Sequence, residues 1–327
     1  MYTRRDILRT AAVTTLLPAA PAILLAQEEK YPARVIRAIC MFPPGTGADI
    51  LVRWFAQKIS VISGGSVIVE NRPGAFGNIA TEAVARSKPD GYTIYIAPTS
   101  SVLAVAPHIF NTLNYDPVES FDHITTISRV PFMFCVDAKG PFKTMADLTA
   151  HLKEKGDAAN YGGSANTGIV GAEIYKKAMG LKTVHISYRT PQAGFADVYS
   201  GQLAFYTTDY GTAAGPIKQG LLRPLVSTAA ERTRANPEVP GAREAGIPGL
   251  DLMAWWAVHT PRGTPEPVRK QLGGWFDQLV LEPETATFLA SVGADPFPGK
   301  AIDVRALLVK EIEAWKGYVQ LTNMQKQ

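Results

Sequence analysis

Four loops in this sequence carry the residue types that hold anions. They are Pro43-Pro44-Gly45-Thr46-Gly47-Ala48-Asp49, Asn71 to Asn78, Pro98-Thr99-Ser100-Ser101 and Gly162 to Gly168. Each follows an apolar run and leads toward a helical pattern. A helix start exposes backbone N–H groups and the positive end of the helix dipole, and both favour negative charge. Small residues let a ligand approach that backbone closely. A single loop of this kind is usually a tight turn. Four of them, in both halves of the chain, predict a binding cleft. Ser164 and Thr167 offer hydroxyl donors, and Asp49, which cannot attract an anion by charge, has the chemistry of a helix N-cap.

Catalytic constellations are missing from the sequence. It contains no G-x-S-x-G, H-E-x-x-H, C-x-x-C or phosphate-binding P-loop. His108, His123, His151, His185 and His259 fall at no metal-ligand spacing. Ser164 follows two glycines, but Tyr161-Gly162-Gly163-Ser164-Ala165-Asn166 lacks the second glycine of a nucleophile elbow. The expectation is a binding protein and not an enzyme, with no cofactor and no metal.

The elements that must position these loops alternate in type. Val35 to Phe42, Val67 to Val69 and Tyr92 to Ala97 read as strands, with helices from Asp49 and over residues 78 to 87 between them. After Pro131 the pattern repeats. Phe132–Val136, Asn160–Gly163, Val184–Ser187, Leu203–Thr207 and Leu225–Thr228 read as strands; residues 144–155, 166–179, 192–200 and 211–219 read as helices. Thr144 with Asp147 has the spacing of a capping box. Residues 265–281 and 301–318 close the chain as helices. Strands alternating with helices predict an α/β protein with parallel sheets.

Length and composition agree. The chain has 327 residues, 46% hydrophobic and 19% charged, with a net charge of +4. That balance excludes a disordered chain and argues for two domains. No strip of Lys and Arg interleaved with aromatics offers a nucleic-acid groove. Arg4, Arg5 and Arg9 precede an apolar stretch from Ala11 to Ala26 that Pro18 and Pro21 interrupt. It is too short and broken for a spanning helix and reads as a signal peptide over residues 1–27. Thr3-Arg4-Arg5-Asp6-Ile7-Leu8 resembles a twin-arginine signal, with an ordinary Sec signal as the alternative. The mature protein is expected in the periplasm. Cys40 and Cys135 sit within apolar runs and are expected to be buried free thiols, although that compartment permits disulfides.

One segment is close to a known signature. Val69-Glu70-Asn71-Arg72-Pro73-Gly74-Ala75-Phe76-Gly77-Asn78-Ile79 resembles the V-E-N-R-P-G-A-G-G-N-I of the Bug family. These are the TctC-like periplasmic solute-binding proteins of tripartite tricarboxylate transporters. Pro89-Asp90-Gly91-Tyr92-Thr93, Ser200-Gly201-Gln202, Glu244-Ala245-Gly246-Ile247-Pro248-Gly249 and Pro261-Arg262-Gly263-Thr264-Pro265 follow in the family's order. The resemblance implies a two-domain α/β fold of the periplasmic-binding-protein type, type II-like, with the ligand in the cleft between domains. Domain 1 would comprise residues 28–131 plus 256–327, and domain 2 residues 132–255. Crossovers would lie near 131–136 and 250–258. It further implies a small organic carboxylate as ligand, aromatic or aliphatic, membrane subunits of the transporter as partners, and a monomer. A sensory adaptor feeding a sensor kinase is the alternative, and gene neighbourhood would separate the two.

The family's ligand loop maps onto Phe42 to Asp49, giving Phe42, Pro44, Gly45, Thr46, Gly47 and Asp49 as candidates. Its second-domain contacts map onto Ser164, Asn166, Thr167 and Asp209. Phe76, Ser100 and Arg189 complete the candidate site. Departures fall on the same loops: Thr46 interrupts the usual P-G-G, Phe76 replaces a glycine, and Arg189 stands where the family has lysine. Arg189 suits bidentate carboxylate pairing, and a surface salt bridge is its other role. Phe42, Phe76, Phe195, Tyr206 and Tyr210 are the aromatics near the loops. They would suit an aromatic dicarboxylate, while a mostly apolar pocket with few polar anchors fits an aliphatic or amino-acid carboxylate equally.

Overall fold

A computed structural model describes residues 31–299, 303–322 and 326. The expected signal peptide lies outside the described residues.

The chain opens as an alternating unit. β1 (Ile36–Cys40) leads into α1 (Gly47–Ser63), β2 (Val67–Asn71), α2 (Asn78–Ala85), β3 (Thr93–Ala97) and the short α3 (Ala106–Ile109). β1 pairs with β2 and β3 in parallel. α1 is amphipathic: Leu51, Val52, Phe55 and Ile59 are buried on one face, and Gly64 ends it in the left-handed conformation.

β4 (Phe121–Asp137) is a single strand of 17 residues and serves two sheets. Its first part pairs with the late strand β9 (Met253–Pro261), and its second part turns to β7 (Phe205–Asp209) and β8 (Leu222–Ser227). Pro131 marks the change, since pairing with β9 ends at Pro131 and pairing with β7 begins at Phe132. A proline cannot donate to a ladder, so it is tolerated where the strand changes partners. Only Phe132–Val136 reads as a strand by pattern. The preceding residues, rich in Thr with Arg129 and Pro131, hide a strand that is buried between neighbours on both sides.

The second sheet is filled by α4 (Met145–Lys155), β5 (Asn160–Gly163), α5 (Ala165–Met179), β6 (Val184–His185), α6 (Pro191–Tyr199), β7, α7 (Tyr210–Lys218) and β8. Thr144 and Asp147 do form a capping box: the Asp147 N–H donates to Thr144 Oγ1 at 3.2 Å, and the Thr144 N–H returns to Asp147 Oδ2 at 2.9 Å. β5 runs parallel to β6 and β7. Its core is an aromatic stack, with Tyr161 on Phe205 at 5.0 Å and Phe134 on Phe205 at 5.4 Å.

After β9 the chain returns to the first sheet through α8 (Glu266–Leu281), α9 (Pro283–Ser291), the two-residue β10 (Asp295–Pro296) and α10 (Val304–Thr322). Trp54 of α1 stacks on Phe288 of α9 at 4.5 Å, which fixes that return. The strand order is β2-β1-β3-β9-β4-β7-β5-β6, with β8 and β10 also on β4. The expected parallel sheets are therefore mixed. The βαβ units are parallel, but β4 and β9 enter without a crossover helix beside them and pair antiparallel. Cys40 and Cys135 are buried and free; burial pushes both thiols up, Cys135 to about 12.

Candidate ligand-binding cleft

Three helix starts meet at one cavity of about 280 Å³. Thr46, Gly47, Ala48 and Leu51 line it from α1, Ala165 from α5, and Asp209, Gly211 and Thr212 from the end of β7 and start of α7. The remaining walls are Phe42, Pro98, Ser101, Val130, Phe132, Ala254, Trp256, Val292 and Ala294. No Lys, Arg or His is among the described lining residues. The donors that the helix starts offer there are backbone N–H groups: the first amides of a helix have no internal acceptor.

The α1 loop is built by local bonds. Gly45 takes φ of +81°, open to glycine without strain. Thr46, not Asp49, is the N-cap: its backbone is extended and its Oγ1 accepts the Asp49 N–H at 3.2 Å. Asp49 is a buried hub one turn in, which corrects the cap expected there. Its carboxylate accepts from the Gly45 N–H at 2.8 Å, Arg53 Nε at 2.8 Å and Asn71 Nδ2 at 2.7 Å. Burial pushes the Asp49 carboxyl up, but the bonds from Arg53, Asn71 and Gly45 outweigh it and hold it below the usual carboxylate range. Asn71 also donates to the Phe42 carbonyl at 2.9 Å and so ties the end of β2 to the loop after β1. Arg72 pairs with Glu70 at 2.6 Å, a contact back to the end of β2.

The second side is built by β7. The Ser164 N–H donates to Thr207 O at 2.8 Å, and Ser164 Oγ donates to Thr208 Oγ1 at 3.1 Å. The Ser164 hydroxyl proton is thus turned to the strand, so the donors that α5 presents are its amides. Thr167 is buried in the first turn of α5. Next to it, a Cβ on Gly168 would lie 2.8 Å from the Phe132 ring, so glycine is what lets that wall aromatic fit. Asp209 caps α7 with both oxygens, taking the Thr212 N–H at 2.9 Å and the Thr212 hydroxyl at 2.7 Å.

Of the candidate residues, the structure gathers Phe42, Thr46, Gly47 and Asp209 around the cavity. Pro44, Gly45 and Asp49 are off the lining, with Gly45 hydrogen-bonded to Asp49 within the loop; Ser164, Asn166 and Thr167 flank Ala165 without lining the cavity. Ser100 is buried, and its Oγ accepts the Trp255 N–H at 2.9 Å, so its neighbour Ser101 is the residue that faces the cavity. Arg189 is exposed and off the lining, and Phe76 is 55% exposed. Phe195 and Tyr206 pack edge to face at 5.3 Å within the second sheet's core, where Tyr210 also packs. The wall aromatics that pattern reading missed are Phe132 and Trp256. Trp256 stacks with Phe42 at 5.8 Å. Its place within an expected crossover, at residues 250–258, was the available signal.

Residues 51–324 match the family described as the tripartite tricarboxylate transporter family receptor. This chain belongs to that family. It is 31% identical to a UPF0065 protein of Bordetella bronchiseptica over 91% of this chain and 89% of that protein. It is 27% identical to the protein BugT of Bordetella pertussis over 90% and 91%. Among solved structures, an R. palustris protein with adipate shares 27% identity and a TM-score of 0.80, covering 91% of this chain and 100% of that one. The periplasmic binding protein BugD, at 24% identity, shares the fold with a TM-score of 0.76 over 91% of this chain and 100% of its own. The receptor fold is the two-domain α/β binding-protein fold, and its class is a solute-binding one.

Proposed function

We propose that this chain is a periplasmic solute-binding protein that captures a small organic carboxylate and delivers it to the membrane subunits of a tripartite tricarboxylate transporter. The observation that carries this reading is the cavity onto which the starts of α1, α5 and α7 converge, with no cation among its described lining residues. Such a site holds a carboxylate by amide donors in an apolar surround, without the desolvation cost of a buried ammonium or guanidinium. The adipate-bound relative supports the ligand class. Residues 28–131 with 256–327 form one ligand-gripping domain and residues 132–255 the other, acting as a monomer. No helix of the described residues is long and apolar enough to cross a membrane.

A thermal-shift screen of the mature protein against a carboxylate panel tests the proposal. A true ligand at about a hundred times its Kd should stabilise the fold by ~2.7 kcal/mol. Uncharged amides of the same acids should not. A panel in which amides shift the transition as far as acids would refute the carboxylate reading.

A further inference from the structure

Asp209 gives the cavity a negative end. Asp209 lines the cavity, and each of its carboxylate oxygens takes one bond from Thr212. A carboxylate oxygen has more than one lone pair, so each oxygen keeps acceptor capacity for a ligand donor. As the N-cap of α7, Asp209 also answers that helix's dipole with its own charge. The positive ends left for a ligand are α1, at Gly47 and Ala48, and α5, at Ala165.

With one ligand carboxylate held between the α1 and α5 starts, a second would be left at the Asp209 end of a cavity with no described cationic lining residue. Like charges brought together in an apolar surround repel strongly, and a carboxylate cannot donate a hydrogen bond to another. A hydroxyl or an ammonium can donate to Asp209. We infer that the ligand is a monocarboxylate bearing a hydrogen-bond donor at its far end, and that Asp209 is the residue that selects against dicarboxylates. This inference rests on the carboxylate reading above and narrows it.

The test uses two sets of acids with matched skeletons and calorimetry on the mature protein. One set is hexanoate, 6-hydroxyhexanoate, 6-aminohexanoate and adipate. The other is benzoate, 4-hydroxybenzoate, 4-(aminomethyl)benzoate and terephthalate. In the set that fits, the hydroxy or amino acid should bind at least tenfold tighter than the dicarboxylate; which of the two wins tells hydroxyl from ammonium. Asp209→Asn keeps a capping side chain and should shrink that preference at least tenfold. Equal or tighter binding of adipate or terephthalate by the wild-type protein would overturn the inference, whether or not the variant folds. So would an unchanged preference in a folded Asp209→Asn protein. Binding by neither set would overturn the carboxylate reading, and this inference with it.

Discussion

Gly47 is the first residue of α1 and lines the cavity, so its amide is a donor that a side-chain substitution can remove. Proline is tolerated at a first helical position, and Thr46 before it is already extended, with ψ of 158°. A Cβ at residue 47 would meet nothing within 4 Å. Gly47→Pro should therefore fold, while Gly47→Ala keeps the amide. A hydrogen bond to a charged group contributes ~1.5–3 kcal/mol, so the proline variant should lose roughly ten- to a hundredfold in affinity. Calorimetry on the two variants checks this, and equal affinities would remove Gly47 from the clamp. Asp49→Ala should behave differently. It strips the acceptor from Gly45, Arg53 and Asn71 and should lower stability by about 2 kcal/mol along with affinity. Ser164→Ala should change affinity less than threefold, because its hydroxyl proton already serves Thr208; a tenfold loss would show that the hydroxyl turns to the ligand.

At the scale of elements, β4, β9 and the turn after β3 enclose a chain of hydrogen bonds. Thr99 Oγ1 lies 2.8 Å from His259 Nε2, the two Nδ1 atoms of His259 and His123 lie 2.9 Å apart, and His123 Nε2 lies 3.0 Å from Val118 O. A carbonyl only accepts, so His123 donates from Nε2 and its Nδ1 accepts from His259. The single Thr99 hydroxyl proton has two acceptors, the Ala97 carbonyl at 3.2 Å and His259 Nε2 at 2.8 Å; with that proton on the nearer ring nitrogen, both imidazoles are satisfied and neutral. Burial pushes His259 well below its ordinary 6.5, with neighbouring His123 adding to it. Burial also lowers His123, which faces Asp122, Arg262 and Arg305. A His depressed in the folded state is stabilising above its ordinary value, and that stability is lost as pH falls from 6.5 toward the folded value. Denaturant titrations should show stability falling between about pH 7 and 5.5, by at most roughly 1.4 kcal/mol per pH unit for one group. His259→Gln should flatten that slope. A profile equally steep in the variant would assign the loss to other groups.

On the scale of the whole molecule, the cavity draws its walls from both sheets: Phe42 and Trp256 from one, Asp209 and the α5 start from the other. β4 runs unbroken between the sheets through Pro131. A ligand touching both sides favours the closed arrangement by its differential affinity, and a continuous strand can serve as the hinge. Small-angle scattering should therefore give a smaller radius of gyration with saturating ligand than without. An unchanged radius would mean that the cleft is closed before the ligand arrives.

What the sequence alone determined is local or carried by motifs. The Thr144–Asp147 capping box, the small-residue loops that open α1 and α5, and the burial of both cysteines depend on a few neighbouring residues or on simple hydrophobicity. The ordered signature from Val69 to Thr264 was enough to place the chain in its family. Tertiary structure decided the rest because the deciding contacts are distant in sequence. Asp49 became a hub because Asn71 reaches it from the end of β2. Ser101 and not the expected Ser100 lines the cavity, because β9 passes beside Ser100 and takes its hydroxyl. Trp256 and Phe132 read as ordinary strand residues until β9 and β4 are laid side by side. The cavity wall joins residues 42, 132, 209, 256 and 292, and no local pattern encodes that meeting, since it exists only once both sheets share β4.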